Sequence, residues 1–267
     1  MPITGSHALN PINQREFGDL DYQVMRLAFE SQNQLGRLCE EEIYQNDLVT
    51  RLTTAGLAPK KEVPIVVSHK SFTKTYLIDL IVANAGIYEL KTAHALSGLH
   101  EAQLLNYLFL SETHHGKLIN FRPPQVESRF VNTTLTPAER RQFSTDTKRW
   151  KEIEQTDVSF RKNLLDLLCD WGCRLDLSLY NEAMIHFSGG ADQVVHRLPL
   201  TRGEANLGTQ HFNLLNPETA FRITSLSEGI SDHENHLLAL LRLSSLRRLQ
   251  WVNLDRQKIQ FVTISRS

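Results

Sequence analysis

The sequence predicts an α/β fold, a sheet flanked by helices, and three observations predict it. Short β-branched runs and amphipathic stretches succeed one another through the first half as helix, strands, helix, strand. VPIVVSH, TYLIDLIVA and IYELKTA have strand composition, and the last two are joined by the turn residues NAG. A helix followed by a strand then recurs in the second half at a constant offset.

The elements follow in order. Residues 1–18 are polar, carry two prolines and read as a loose arm. From Tyr22, the apolar positions Val24, Met25, Leu27, Ala28 and Leu35 mark one amphipathic helix. After Gly36, the positions Leu38, Ile43, Leu48, Val49 and Leu52 mark a second, which Gly56 and Pro59 end. Strands are expected over 63–69, 75–83 and 87–93. Helical spacing returns from about His100 to Leu110, and KLINF (117–121) is a further strand. From Pro123 to Asp157 the chain is polar and charged, with Thr136 as a candidate helix cap. FRKNLLDLLCDWG opens a second helical block. The expected organisation is an arm (1–18), a first domain (19–135), a connector (136–157) and a second domain (158–267).

A length of 267 residues suits one large domain or two small ones. Apolar residues at 41% and charged residues at 22% are ordinary for a soluble globular protein. A net charge of −1 excludes a globally basic nucleic-acid binder but not a local basic patch. No apolar run approaches the ~20 residues that span a bilayer, so no membrane partner is expected. The first residues lack a basic stretch followed by an apolar one, the pattern of a secretory leader. Three cysteines, Cys39, Cys169 and Cys173, exclude a disulfide scaffold and fit a reducing cytoplasm, the expected location.

Shifting residues 89–121 by 133 places them on 222–254 without a gap, with eight identities in 33 positions. They include His100/His233, Glu101/Glu234, Leu104/Leu237, Ser111/Ser244 and Asn120/Asn253, where average residue usage gives about two by chance. Further back, LCEEEI resembles LYNEAM at a shift of 141. Two amphipathic helices, each followed by a strand, also look alike by composition alone. One register shared by helix and strand favours duplication of an α/β unit.

The chemistry-bearing residues lie in the first half. Asp79 interrupts an otherwise apolar strand, where a carboxylate is costly unless paired or metal-bound. Glu89 and Lys91, two apart on a strand, point to the same face, and Asp79 on a neighbouring strand reaches that face too. Two carboxylates and an ammonium so gathered suit a hard divalent cation, which takes oxygen ligands. A lysine beside it can orient or deprotonate a water and stabilise negative charge on a phosphate. Taken singly, Glu41, Lys91, Gln103 and Tyr107 are ordinary surface or helix residues.

The pattern D…ExK on adjacent strands resembles the signature of the PD-(D/E)XK nuclease-like superfamily. The string LGRLCEEEIYQNDL, with Gly36, Glu41 and Tyr44, resembles the motif that names the GxxExxY family. EVPIVV, YLIDLIV, YELKTA, HEAQLLNYL and GKLINF follow in that family's order, so the resemblance covers about residues 20–135. It implies a restriction-endonuclease-like mixed sheet flanked by helices. Asp79 and Glu89 would be ligands of Mg²⁺ or Mn²⁺, with the main-chain carbonyl of Leu90 available and Glu41 in support. Lys91 would be the catalytic lysine. Gln103 and Tyr107, on one helix face, would line the nucleic-acid side as a Q-x₃-Y motif. One departure is Leu38, where members often carry a glycine.

In the repeat register Glu89 maps to Arg222, Lys91 to Thr224, Asp79 near Phe212 or Asn213, Gln103 to His236 and Tyr107 to Leu240, while Glu182 keeps a Glu41-like acid. The second half is therefore expected to be a degenerate copy without a catalytic cation, retained to pair with the first half as an intramolecular pseudo-dimer within a monomer. Arg242, Arg247 and Arg248 either extend a nucleic-acid surface or form a solvated helix end. Cys169 and Cys173 are expected as buried thiols on one helix. The resemblance implies a magnesium-dependent nuclease acting on phosphodiesters of unspecified nucleic acid. The alternative is a vestigial nucleic-acid-binding or protein-interaction module of the same fold.

Overall fold

The computed structural model describes residues 3–5 and 9–266. The chain forms two compact units, 1–137 and 138–267, each described here by itself.

In the first unit, Asn13 sets the start of the first helix. Its side chain accepts from the backbone N–H groups of Arg15 and Glu16 at 3.0 Å, and its own N–H donates to Glu16 at 2.9 Å. This reciprocal cap starts α1 (Gln14–Leu35) well before Tyr22. The helix ends at Gly36, whose φ of 73° favours glycine. α2 (Glu41–Thr54) follows. The sheet takes β1 (Ile3–Gly5), β2 (Pro59–His69), β3 (Phe72–Val82), β4 (Gly86–Lys91), β5 (His115–Asn120) and β6 (Glu127–Asn132) in that order. All neighbours are antiparallel except β4 and β5, which α3 (Gly98–Ser111) joins as a parallel pair.

Residues 3–5 correct the expectation of a loose arm: they pair with Ile65–Val67 on the edge of β2. The other early residues of that arm, 1–2 and 6–8, lie outside the described residues. β6 was not expected either, because its side chains are mostly polar and only Val131 is buried.

Alternation along the strands sorts the faces. Leu80, Val82, Tyr88, Leu90, Ile119 and Phe121 form a core with Val24 and Ala28 of α1 and Leu48 and Leu52 of α2. Each leucine so buried stabilises by about 1.5–3 kcal/mol. A buried ion pair, Lys117 to Asp21 at 2.5 Å, also lies on this side. Ile87, Glu89 and Lys91 point to the other face, which α3 covers. Gly116 permits that approach: a Cβ there would stand 3.0 Å from Leu104 Cδ1 and 3.1 Å from Leu108 Cδ2.

The second unit contains all but the first residue of α4 (Pro137–Arg140), then β7 (Ser144–Arg149), α5 (Gln155–Trp171), α6 (Leu177–Phe187), α7 (Ala191–Val194), β8 (Val195–Arg202), β9 (Ala205–Asn216), β10 (Thr219–Thr224), α8 (Ile230–Leu243), β11 (Arg248–Asp255) and β12 (Lys258–Ser265). Its sheet order is β7-β12-β11-β10-β9-β8. Residues 136–157 are thus not a plain connector. They hold α4, β7 and the start of α5; all six side chains of β7 are exposed, and its backbone pairs in parallel with β12. A strand with every side chain exposed carries no apolar pattern to read.

The two units correspond closely. β4 shifted by 133 falls on β10, and the parallel registers coincide: Ile87↔Gly116 and Lys91↔Asn120 become Ala220↔Leu249 and Thr224↔Asn253. Asn120 exchanges two hydrogen bonds with the backbone of Ala93, as Asn253 does with Leu226. Tyr44 donates to the Gly36 carbonyl, and Tyr180 to that of Gly172. Two mixed sheets flanked by helices, built this alike, fit a duplication.

The glycine–tyrosine pairs correct the helix register. Gly36/Gly172 and Tyr44/Tyr180 differ by 136, not 141, so Leu177 stands where Glu41 does and Glu182 is not its counterpart. Letter matches on one helix do not fix its register; the bond from tyrosine to the preceding helix end does. Tyr44→Phe and Tyr180→Phe are each expected to lower stability by about 1–2 kcal/mol, because each leaves a helix-terminal carbonyl without its donor. Urea unfolding of the two variants checks this, and equal losses are expected.

Three smaller expectations also change. Cys173 lies beyond the α5 terminus and is buried, whereas Cys169 is exposed. Burial pushes the Cys173 thiol up to about 11. Arg247 and Arg248 are not a free basic patch: they pair with Glu218 at 3.1 Å and Glu154 at 2.6 Å.

Candidate active site

The site begins where β3 and β4 part. Their ladder runs from Val82↔Gly86 to Leu80↔Tyr88 and stops there. One residue further, the Leu90 N–H donates to the Asp79 carboxylate (Oδ2, 2.9 Å), and the Asp79 main-chain carbonyl accepts from Gln45 Nε2 of α2 at 2.9 Å. The strands fork at Asp79, and the side chain that breaks the apolar run satisfies the backbone it exposes.

Lys91 lies at the centre of the fork. Its Nζ is 2.7 Å from Glu89 Oε1, 3.7 Å from Asp79 Oδ2 and 3.9 Å from Glu41 Oε1. Side-chain exposure rises outward, from 0% at Glu89 through 14% at Lys91 and 23% at Asp79 to 42% at Glu41. Glu41 is the first residue of α2, where the helix N-terminus favours a carboxylate. The α2 start is itself held by Tyr44, whose ring stacks on Phe121 at 4.5 Å, and by Arg122, which donates to the Arg37 and Cys39 carbonyls.

Gln103 and Tyr107 sit one turn apart on α3, joined by a bond from Gln103 Nε2 to the Tyr107 hydroxyl at 3.1 Å. Burial raises the Tyr107 hydroxyl, and the charges of Glu89 and Asp79 push it the same way, so this pair borders the acid cluster. The structure therefore brings together Glu41, Asp79, Glu89, Lys91, Gln103 and Tyr107. It adds Gln45, which the sequence reading missed although it stands one helical turn from Glu41. That spacing was the available signal.

The electrostatics follow from crowding. Glu89 is pushed up to about 8, by burial first and then by Asp79. Burial also raises Asp79 and Glu41, against the pull of Lys91. Burial alone would lower Lys91, but Glu89, Asp79 and Glu41 outweigh it and raise it, so it stays an ammonium. Three carboxylates share one cation, and Glu89 Oε2 is buried without a hydrogen-bond partner.

That orphaned oxygen and this all-oxygen donor set fit a hard divalent cation. Among the described residues no group of three or more His, Cys, Asp or Glu side chains is placed to hold a metal ion. Mg²⁺ needs none, since it takes one or two carboxylates and keeps several waters. No helix among the described residues is long and apolar enough to cross a membrane.

Residues 18–131 match the family model of the PD-(D/E)XK nuclease superfamily. No curated protein and no solved structure matches the chain.

Proposed function

We propose, from the match of residues 18–131 to the PD-(D/E)XK nuclease superfamily, that the chain is a divalent-cation-dependent nuclease acting through Asp79, Glu89 and Lys91. The observation that carries this reading is the fork: three carboxylates around one ammonium, at the point where two strands separate.

Asp79 and Glu89 would hold Mg²⁺ or Mn²⁺, with the Leu90 carbonyl and Glu41 in support. Such an ion supplies charge neutralisation at the phosphate and a more acidic bound water. The remaining steps fall to the chain. Lys91, kept protonated by its carboxylates, orients the attacking water and offsets charge developing on the phosphate oxygens. Asp79 doubles as a brace, since its bond to the Leu90 N–H fixes the fork. Gln45 holds the Asp79 backbone and so sets where the carboxylate points. Gln103 and Tyr107 present an amide and a hydroxyl toward the nucleic-acid strand. The second unit, with Arg222 and Thr224 in place of Glu89 and Lys91, is a diverged copy that does not cleave.

The test is a cleavage panel. Single- and double-stranded DNA and RNA, linear and closed, are incubated with the full chain in Mg²⁺, in Mn²⁺ and in EDTA. Products are expected with either cation, none in EDTA, and none from Asp79→Asn. Binding without cleavage of any form, with the fold intact, would instead support the vestigial binding module.

A further inference from the structure

The second unit repeats the fork. The β9–β10 ladder stops at Asn213↔Phe221, the positions of Leu80↔Tyr88, so Phe212 and Arg222 stand where Asp79 and Glu89 part in the first unit. A cavity of about 250 Å³ opens at this fork. It is lined by Phe212, Asn213 and His211 of β9, Arg222 of β10, Asn181 of α6 and Leu240 of α8, among others. Asn181 takes the place of Gln45, and Leu240 that of Tyr107.

The architecture is retained while the charge is inverted. No Asp or Glu lines this cavity; its ionisable lining residues are Arg222 and His211, with the amides of Asn181 and Asn213 beside them. His236, on α8 at the position of Gln103, and His233 stand near Arg222. Burial lowers His233, and the neighbouring Arg222 and His236 lower it further, so His233 is held neutral beside Arg222. The volume lies below the ~300–1,000 Å³ of a typical small-molecule pocket, which suits one or two ionic groups rather than a cofactor. An arginine fork flanked by amide donors matches the oxygens of a phosphate.

We propose that the fork pocket of the second unit binds the phosphate of a nucleic-acid strand without a cation and without cleaving it, Arg222 being the anchor. The choice of a polymer over a free phosphate rests on the nuclease reading of the first unit; the phosphate chemistry does not. In this arrangement the diverged copy holds the strand, and its affinity is independent of Mg²⁺.

The experiment titrates a labelled single-stranded oligonucleotide with the full chain in EDTA, following fluorescence anisotropy. Arg222→Glu is expected to weaken binding by about tenfold or more, and Arg222→Gln by less, with the salt slope reduced by about 1. His211→Ala weakens binding on the other side of the pocket. Thermal melting verifies that each variant is folded. Inorganic phosphate forms the second arm. If it competes with the oligonucleotide and stabilises the wild type but not Arg222→Glu, the bare phosphate group is the ligand. If only the oligonucleotide shows Arg222 dependence, the polymer is. Folded Arg222→Glu and His211→Ala variants that bind like wild type overturn the proposal. That failure would leave cation-dependent cleavage untouched, and absence of cleavage would leave EDTA binding standing.

Discussion

Asp79→Asn abolishes cation-dependent hydrolysis, with an expected loss of about 10³-fold or more, while the chain stays folded. Losing one well-placed electrostatic group costs about 10²–10³ in rate, and here the same substitution also removes a proposed cation ligand. An asparagine oxygen still accepts from the Leu90 N–H, so the fork keeps its brace. One negative charge leaves a crowded cluster, so the cation-free protein is expected to melt no lower than wild type. Lys91→Ala is also expected to be inactive, for a different reason. It strips the shared cation from three carboxylates, one of them fully buried. Breaking a buried pair from one side costs about 3–5 kcal/mol when the remaining charge persists. Glu89 escapes part of this cost by taking up a proton, so Lys91→Ala is expected to be most unstable at high pH and to be partly rescued by Mg²⁺. Single-turnover cleavage together with melting of both variants, with and without cation, separates lost chemistry from lost structure. An Asp79→Asn variant that cleaves at the wild-type rate removes the proposed mechanism.

In the proposed site, protons and Mg²⁺ would compete for Glu89. Its carboxyl ionises near 4.5 in a free chain and is pushed up to about 8 in the folded protein. Between those values the folded state carries a proton that the unfolded state has released. The contribution of Glu89 to the stability of the cation-free protein is therefore fully present below about 4.5, falls as pH rises and is lost above about 8. Glu89→Gln is expected to remove much of this slope and to melt higher than wild type at pH 8 in EDTA. A bound cation reverses the order, because it requires the ionised carboxylate. Mg²⁺ is expected to raise the melting temperature strongly at pH 8, weakly at pH 5, and hardly at all in Glu89→Gln. Melting curves across pH with EDTA or Mg²⁺ measure all three. A flat wild-type profile in EDTA contradicts the assigned environment of Glu89.

Much of the first unit was legible because its signals are local. β4, α3 and β5 carry apolar periodicity, and they are the elements whose counterparts fall at the 133 offset. Asp79 was legible as a violation, a carboxylate inside an apolar strand. That Glu41 approaches Lys91 was not readable from spacing, since α2 and β4 are joined only by folding; resemblance supplied it. Gln45 was missed because its contact is with a main-chain carbonyl, which no side-chain pattern announces. β7 escaped because all of its side chains are exposed, so no apolar alternation marks it. The Glu182 alignment was misleading for a related reason: a helix repeats its own letters easily, and only the tyrosine bonds revealed which turn matches which.

The two sheets guard opposite borders. In the first, β1 lies outside β2 and β6 is terminal; in the second, β7 lies outside the β6-like strand β12 and β8 is terminal. A terminal strand is a template for addition by another chain, and charged side chains discourage such addition. On β6 that defence is Glu127 and Arg129, which also tie back to the rest of the unit: Glu127 accepts from Asn120 and from the Leu96 N–H, and Arg129 pairs with Glu101. The resistance of this border to amyloid-like stacking thus depends on a few polar side chains that are already engaged elsewhere, in a segment whose composition gave no hint that it was a strand.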